Sequence, residues 1–477
     1  MNRGIALQGL GQDEEAVASY DCAIAAGARD AHTYAQRGLA LQQCGRLDAA
    51  VASYDQAIAL DADCAEVYYN RGNALKALRR LDAAGSSYAR AIACKPDFAA
   101  AYANRGNVLR ELEQPDGALR DYAMAIRLRP DLPEVHYNRG IVLQEQNQLD
   151  AAIAHFDQAI ALDPDFAAAY WDKSLALLLD GDLARGWELY EWRWRNKETG
   201  LTPRPIAQPL WDGRSSVHGK TILLHCEQGL GDTLQFARYA RCVAALGARV
   251  ILQVQAPLVA LLSGLEGVAQ LLVEEAPLPD FDLHCPLLSL PLAFKSRLDS
   301  IPRAPSYLRS DAAKAAHWAG RLAGKTRPLI GLAWRGSSTH RRDRRRSIGL
   351  AELLQALPRQ LQYVSLHQEI RAEDRAALQA SAHLLHYGEQ LTDFADTAAL
   401  CAQVDLVISV DTSVAHLGGA LGKTTWVLLP YNPDWRWLLG RQDSPWYPSV
   451  RLYRQEAPGD WGPVLARVSA ELTQLAR

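Results

Sequence analysis

No run of apolar residues in this 477-residue chain is long enough to span a bilayer, and the start, Met1-Asn2-Arg3-Gly4, holds no apolar signal core. These absences predict a chain with no membrane span and no secretory leader, with the cytoplasm as its place. An excess of one charge is lacking too: 51 Lys and Arg against 54 Asp and Glu leave a formal net charge of -3. That balance does not draw the whole chain to nucleic acid or anionic lipid, and only a local basic cluster could. Paired cysteines are missing. The eight, at Cys22, Cys44, Cys64, Cys94, Cys226, Cys242, Cys285 and Cys401, form no CxxC and no zinc-ligand spacing. They read as small buried hydrophobes in a reducing compartment. No Asp-x-Asp pair stands at a strand end in the second half, so no metal site and no cofactor are expected. What remains, 49% hydrophobic and 22% charged, is a globular composition of a length that implies two or three domains.

A fixed step of 34 residues then organises the first half. Tyr34, Tyr68, Tyr102, His136 and Tyr170 keep it, as do Gly4, Gly38, Gly72, Gly106 and Gly140. So do Ala16, Ala50, Ala84, Ala118 and Ala152, and the aromatics Tyr20, Tyr54, Tyr88, Tyr122, Phe156 and Tyr190; Pro96, Pro130 and Pro164 close three units. This is the period of the tetratricopeptide repeat (TPR), a helical hairpin that stacks into a solenoid. Small residues let the two helices of a hairpin approach, and the aromatics are expected to fill the space between neighbouring hairpins. The reading is a truncated first unit (1–30), four full units (31–64, 65–98, 99–132, 133–166) and a degenerate sixth that caps the stack by docking on the next domain. The first unit lacks its opening residues, which leaves open a natural start further upstream. Asn70, Asn104 and Asn138 recur once per repeat at positions facing the groove. A row of side-chain amides can pair with an extended backbone of any sequence, and it can equally be solvated filler. The row resembles the asparagine ladder in the TPR arm of O-linked N-acetylglucosamine transferases.

Pro203, Pro205 and Pro209 mark a linker at 200–219. Beyond it, strand, glycine loop and helix patterns alternate, which implies parallel sheets with ligand sites at the strand carboxyl ends. Three clusters fall at such junctions. In Glu227-Gln228-Gly229-Leu230-Gly231-Asp232, Gly229 and Gly231 let backbone pass close to a ligand. Asp232 is either a helix N-cap or a base for an attacking hydroxyl. In Asp411-Thr412-Ser413 with His416, hydroxyls, an imidazole and helix N–H groups could hold a diphosphate, or simply cap a helix over a core histidine. In Trp334-Arg335-Gly336-Ser337-Ser338 with His340 to Arg346, arginine forks suit phosphate oxygens, so Trp334 and Arg335 are expected at the donor, although such runs commonly form solvated faces. The interrupting Asp343 and the near-neutral chain count against nucleic acid.

In this order and spacing the clusters resemble the heptosyltransferase-like family of GT-B enzymes, especially bacterial proteins that fuse TPRs to such a domain. The resemblance implies Asp232 as catalytic base, and Asp411, Thr412 and His416 on the donor diphosphate. It places Arg345 or Arg346 on phosphate and Glu369 on the donor ribose or base. Ser413 stands where that family has glycine, and arginine replaces its phosphate lysine. The expected architecture is an α-solenoid at 1–199, the linker, a GT-B amino-terminal lobe at 220–326, a carboxy-terminal lobe at 327–455, and a last helix at 456–477. The expected function is inverting, metal-independent transfer from a nucleotide-sugar donor to a protein acceptor in the TPR groove, flagellin or another surface protein by analogy. A glycan or lipid-linked acceptor and a catalytically silent scaffold are the alternatives, and a homodimer is compatible with either. In the run Asn432-Pro433-Asp434-Trp435-Arg436-Trp437, the tryptophans are expected to pack in the core or the cleft, with Trp435 or Trp437 flanking a sugar as the alternative.

Overall fold

Steric fit between one glycine and one ring shapes each hairpin of the first half. A Cβ placed on Gly38 would lie 2.6 Å from the Tyr54 ring, and the same holds for Gly72 on Tyr88 and Gly140 on Phe156, with 2.7 Å for Gly4 on Tyr20 and Gly106 on Tyr122. The ring therefore occupies the volume of the missing side chain, within its own hairpin. The structure, a computed structural model, describes residues 1–337 and 343–475. It divides into two compact units, Met1–Lys173 and Ser174–Arg477, and this division lies inside the sixth repeat.

The first unit is the solenoid. Its hairpins run Asn2–Gly9 with Asp13–Ala25, Ala31–Gln43 with Leu47–Leu60, Ala65–Ala77 with Leu81–Cys94, Ala99–Glu111 with Pro115–Leu128, and Pro133–Glu145 with Leu149–Leu162. Ala16, Ala50, Ala84, Ala118 and Ala152 are sealed from solvent beside the buried rings.

The second unit carries two all-parallel sheets. The first holds β1 (Thr221–His225), β2 (Arg249–Val254), β3 (Val268–Val273) and β4 (Leu283–Pro286) in the order β3-β2-β1-β4. The second holds β5 (Leu329–Ala333), β6 (Gln362–Ser365), β7 (Leu384–Leu385), β8 (Leu406–Val410), β9 (Thr425–Leu429) and β10 (Val450–Arg454). Its order is β10-β9-β8-β5-β6-β7. Numbered from β5 this is 3-2-1-4-5-6, the doubly wound Rossmann arrangement, in which ligands bind where the order reverses, here between the ends of β5 and β8. Strands buried on both faces read as continuous apolar runs, which is why β1, β5, β8 and β9 stand out in the sequence. The proline segment lies along the first sheet: Leu210 bridges to His284 of β4, and Trp211 is buried. The last helix, Gly462–Leu475, returns to the second sheet, with Val464, Leu465, Val468 and Leu472 in its core.

Candidate functional site

Two strand-to-helix turns, one from each sheet, meet in the second unit. After β1 the glycine turn starts the helix Leu230–Phe236 with Gly229 as N-cap. Asp232 is the third residue of that helix, and its Oδ2 accepts the Gly229 N–H at 2.9 Å. It therefore caps backwards from inside the first turn and is not the N-cap itself. After β8, Thr412 caps the helix Ser413–Ala420, its Oγ1 accepting from the Val414 amide at 3.3 Å and lying 3.2 Å from Ser409 Oγ. The two helices touch at Gly231. A Cβ there would come within 3.0 Å of His416 Cδ2 and 3.5 Å of Ser413 Cα, so any larger residue would have to displace the His416 ring by a few tenths of an ångström.

Arg436 ties this junction together. Its guanidinium donates to Asp232 Oδ1, to Asp434 Oδ1 at 2.8 Å and, through Nε, to Gln235 Oε1 at 2.8 Å, and it lies 4.2 Å from the centroid of the Trp435 ring. Burial raises the Asp232 carboxyl and Arg436 opposes that rise, leaving it above its ordinary value. The Asp232 side chain keeps 19% of its surface exposed. A carboxylate that is raised yet still reachable is what proton abstraction needs. Burial and the Asp434 charge push Asp411 up, with Arg346 opposing, whereas Arg436 holds Asp434 below the usual range against its burial. His416 is driven down to about 3 by burial, helped by the charge of Arg436, so its ring is neutral. Its Nδ1 meets Tyr447 Oη at 3.0 Å, and its face stacks on Trp437, with centroids 5.4 Å apart.

At the reversal of the second sheet, Arg346 donates to the Asp411 carbonyl at 2.8 Å. Two charged side chains close over Gly336: a Cβ there would come within 2.5 Å of Arg346 Nη2 and 2.7 Å of Asp343 Oδ1, so both would have to shift to admit it. Arg371 pins the same loop, donating to the Gly336 carbonyl at 2.7 Å and to Asp343 at 2.6 Å. Arg345 is exposed on the short helical turn Asp343–Arg346, and Glu369 is exposed in the loop after β6. Ser338, His340, Arg341 and Arg342 lie outside the described residues. Two expectations are corrected here. Trp334 is a core residue, 2% exposed, with its indole N–H on Asp374 Oδ2 at 2.9 Å, so its side chain offers no face to a donor. Arg335 forks onto the same Asp374 and pairs with Glu373 at 3.2 Å, which occupies the guanidinium that was expected on phosphate.

Behind the glycine turn lies a buried polar network. Arg193 joins Glu191, Glu227 at 3.3 Å and Ser289 at 2.7 Å, while Gln228 reaches Tyr190 Oη at 3.2 Å. Trp187 meets Trp435 edge-on at 5.1 Å. Asp434, Arg436, Tyr447 and Arg193 were not among the expected site residues. A signal for two of them was available, since an Asp-x-Arg set among tryptophans is a charge pair with no solvated face.

In the solenoid Asn70, Asn104 and Asn138 are half-buried. The Asn104 amide donates to Tyr69 Oη at 3.1 Å and to Asn73 Oδ1 at 2.9 Å, linking the first helices of successive hairpins and leaving its carbonyl oxygen as the acceptor. Among the described residues no three His, Cys, Asp or Glu side chains cluster as metal ligands, and no helix is long and apolar enough to cross a membrane.

Profiles of the tetratricopeptide repeat match residues 38–79, 65–98, 106–147 and 133–166. FlbA of Caulobacter vibrioides is 27% identical over 346 residues, which is 64% of this chain and 54% of FlbA. The chain thus spans about half the length of that relative, and the alignment takes in more of the chain than the solenoid supplies. Among solved structures, MamA is 24% identical with a TM-score of 0.34, covering 34% of this chain and 96% of its own. YrrB, described as a TPR protein with an unusual peptide-binding site, is 25% identical with a TM-score of 0.34, covering 37% of this chain and 91% of its own. The amino-terminal region is an array of tetratricopeptide repeats, followed by parallel sheets flanked by helices in a Rossmann-like arrangement.

Proposed function

We propose that the second unit binds a nucleotide-sugar donor and transfers its sugar, with inversion, to a polypeptide acceptor held by the Asn70, Asn104 and Asn138 face of the solenoid. The observation that carries this reading is the contact of the Asp232 turn with the Ser413–Ala420 helix, which sets a raised carboxylate beside a helix start. In the reaction, an acceptor hydroxyl oxygen attacks the anomeric carbon and its proton passes to the Asp232 carboxylate. The bond from that carbon to the donor phosphate oxygen breaks, and its electron pair leaves with the nucleoside diphosphate. The Ser413 helix start, the neutral His416 ring and Arg346 stand where they could stabilise that departing charge. Asn104 has an amide oxygen left to accept from an acceptor backbone. The same site would serve a glycan or lipid-linked acceptor with the solenoid recruiting a partner.

A second reading has an observation of its own. Thr412 is spent on a helix cap, and both Asp232 oxygens have partners inside the protein. A catalytically silent scaffold would look like this. Release of nucleoside diphosphate from UDP-, ADP-, CMP-, GDP- and dTDP-sugars distinguishes the two. One donor is expected to turn over, and Asp232→Asn is expected to slow it by about 10²-fold or more while leaving donor binding intact. Turnover of none of them, or an Asp232→Asn variant as fast as the parent, would leave the scaffold standing.

A further inference from the structure

From the second hairpin onward, a basic residue recurs every 34 positions in the first helix: Arg37, Arg71, Arg105, Arg139 and Lys173. Each stands between two second helices, its neighbours lying 16 residues before and 16 after. Arg37 donates through Nε to Asp21 at 2.6 Å and through Nη1 to Ser53 at 2.6 Å. Arg71 repeats this with Asp55 at 2.7 Å and Ser87 at 2.7 Å. Arg105 has Ala89 on the earlier side and forks instead onto Asp121 at 2.6 and 2.7 Å on the later one. Lys173 takes Asp157 on the earlier side.

Arg139 breaks the series. Ala123 stands on its earlier side and His155 on its later side, so neither supplies a carboxylate. Its Nε, the atom that meets an aspartate in Arg37, Arg71 and Arg105, is a buried donor with no acceptor. Burial lowers its proton affinity, with no acidic neighbour acting against it. His155 does not substitute. His155 Nδ1 already faces His136 Nδ1 at 3.3 Å, and His136 Nε2 donates to the Pro130 carbonyl at 3.1 Å. Burial and the Arg139 charge push His155 down to about 4, keeping that ring neutral. A half-buried guanidinium without a counter-charge is costly to retain in a stack that provides one for Arg37, Arg71, Arg105 and Lys173.

We propose that the seam between the second helices of the fourth and fifth hairpins, Pro115–Leu128 and Leu149–Leu162, is a docking site for an aspartate or glutamate side chain of a partner polypeptide. Arg139 is its anchor. The charge complement follows from the Arg37, Arg71 and Lys173 rungs, where the chain itself fills the equivalent place with aspartate, and Ala123 leaves room where Asp21, Asp55 and Asp157 stand. A half-exposed Ala123, Arg139 and His155 leave the place open to solvent. The seam is distinct from the Asn104 row, which links first helices, and it does not depend on the transfer reaction.

The test uses the full chain and a fluorescein-labelled hexaglutamate peptide, with hexaglutamine as control, read by fluorescence polarisation at low salt. The parent is expected to prefer the glutamate peptide by about tenfold or more, as a desolvated charge-assisted pair warrants. Arg139→Gln should abolish that preference. Ala123→Asp, which keeps the arginine but restores its internal partner, should abolish it equally and raise the melting temperature. Ala89→Asp adds the same charge one repeat earlier and should leave binding unchanged. Failure of the parent to discriminate, insensitivity to Arg139→Gln and Ala123→Asp, or an equal loss in Ala89→Asp would each overturn the proposal.

Discussion

Glu227 sits behind the glycine turn with one carboxyl oxygen accepting from the Leu288 amide at 3.0 Å and from Arg193, and the other buried without a partner. Burial pushes its carboxyl up to about 8, with Arg193 opposing, against about 4.3 in an unfolded chain. Between those values the folded protein keeps a proton that the unfolded chain has released. Stability from this group is therefore full below the lower value and is lost as pH rises through the higher one. Glu227→Gln preserves the shape without the titration. Its melting temperature should gain steadily on the parent from about pH 5 to about pH 8.5, the window in which the two states differ in protonation. A gap that stayed constant with pH would mean that Glu227 is ionised throughout.

The hairpin is the unit in which the solenoid can be perturbed cleanly. Gly106→Ala would drive a methyl group to within 2.7 Å of the Tyr122 ring, an overpacking expected to cost about 1–3 kcal/mol. Gly85 is the contrasting case. It lies inside the helix Leu81–Cys94, and a Cβ there meets only Val108 Cγ1 at 3.6 Å, an ordinary contact. Gly85→Ala should therefore stabilise by about 0.5–1 kcal/mol through helix propensity. Opposite shifts in the thermal midpoint are the expected result, and two shifts of the same sign would refute the assignment of space at these positions. The repeats were legible in the sequence because glycine and ring sit 16 residues apart and recur, so period alone exposes them. The glycine turn and the Thr412 cap were legible because a strand followed by a capped helix is a local pattern. The Arg436 bond to Asp232 was not, since 204 residues separate the partners and nothing local marks them. Arg335 and Trp334 misled for a related reason: phosphate-suited chemistry is also core-suited chemistry once a buried Asp374 stands beside it.

At the scale of the molecule, the two compact units predict two unfolding transitions in calorimetry of the intact chain. A nucleotide-sugar bound by the second unit should raise one of them alone, by about 2.7 kcal/mol at a hundredfold excess over its Kd. A shift confined to the other transition would remove the donor site from the Asp232–His416 junction. The glycine-and-ring fit has one more consequence at this scale. Because each hairpin closes its tightest contact on itself, a duplicated or deleted repeat brings or removes its own lock, and no core has to be recut at the new join. An array built this way can lengthen or shorten by whole hairpins, each carrying its own closure.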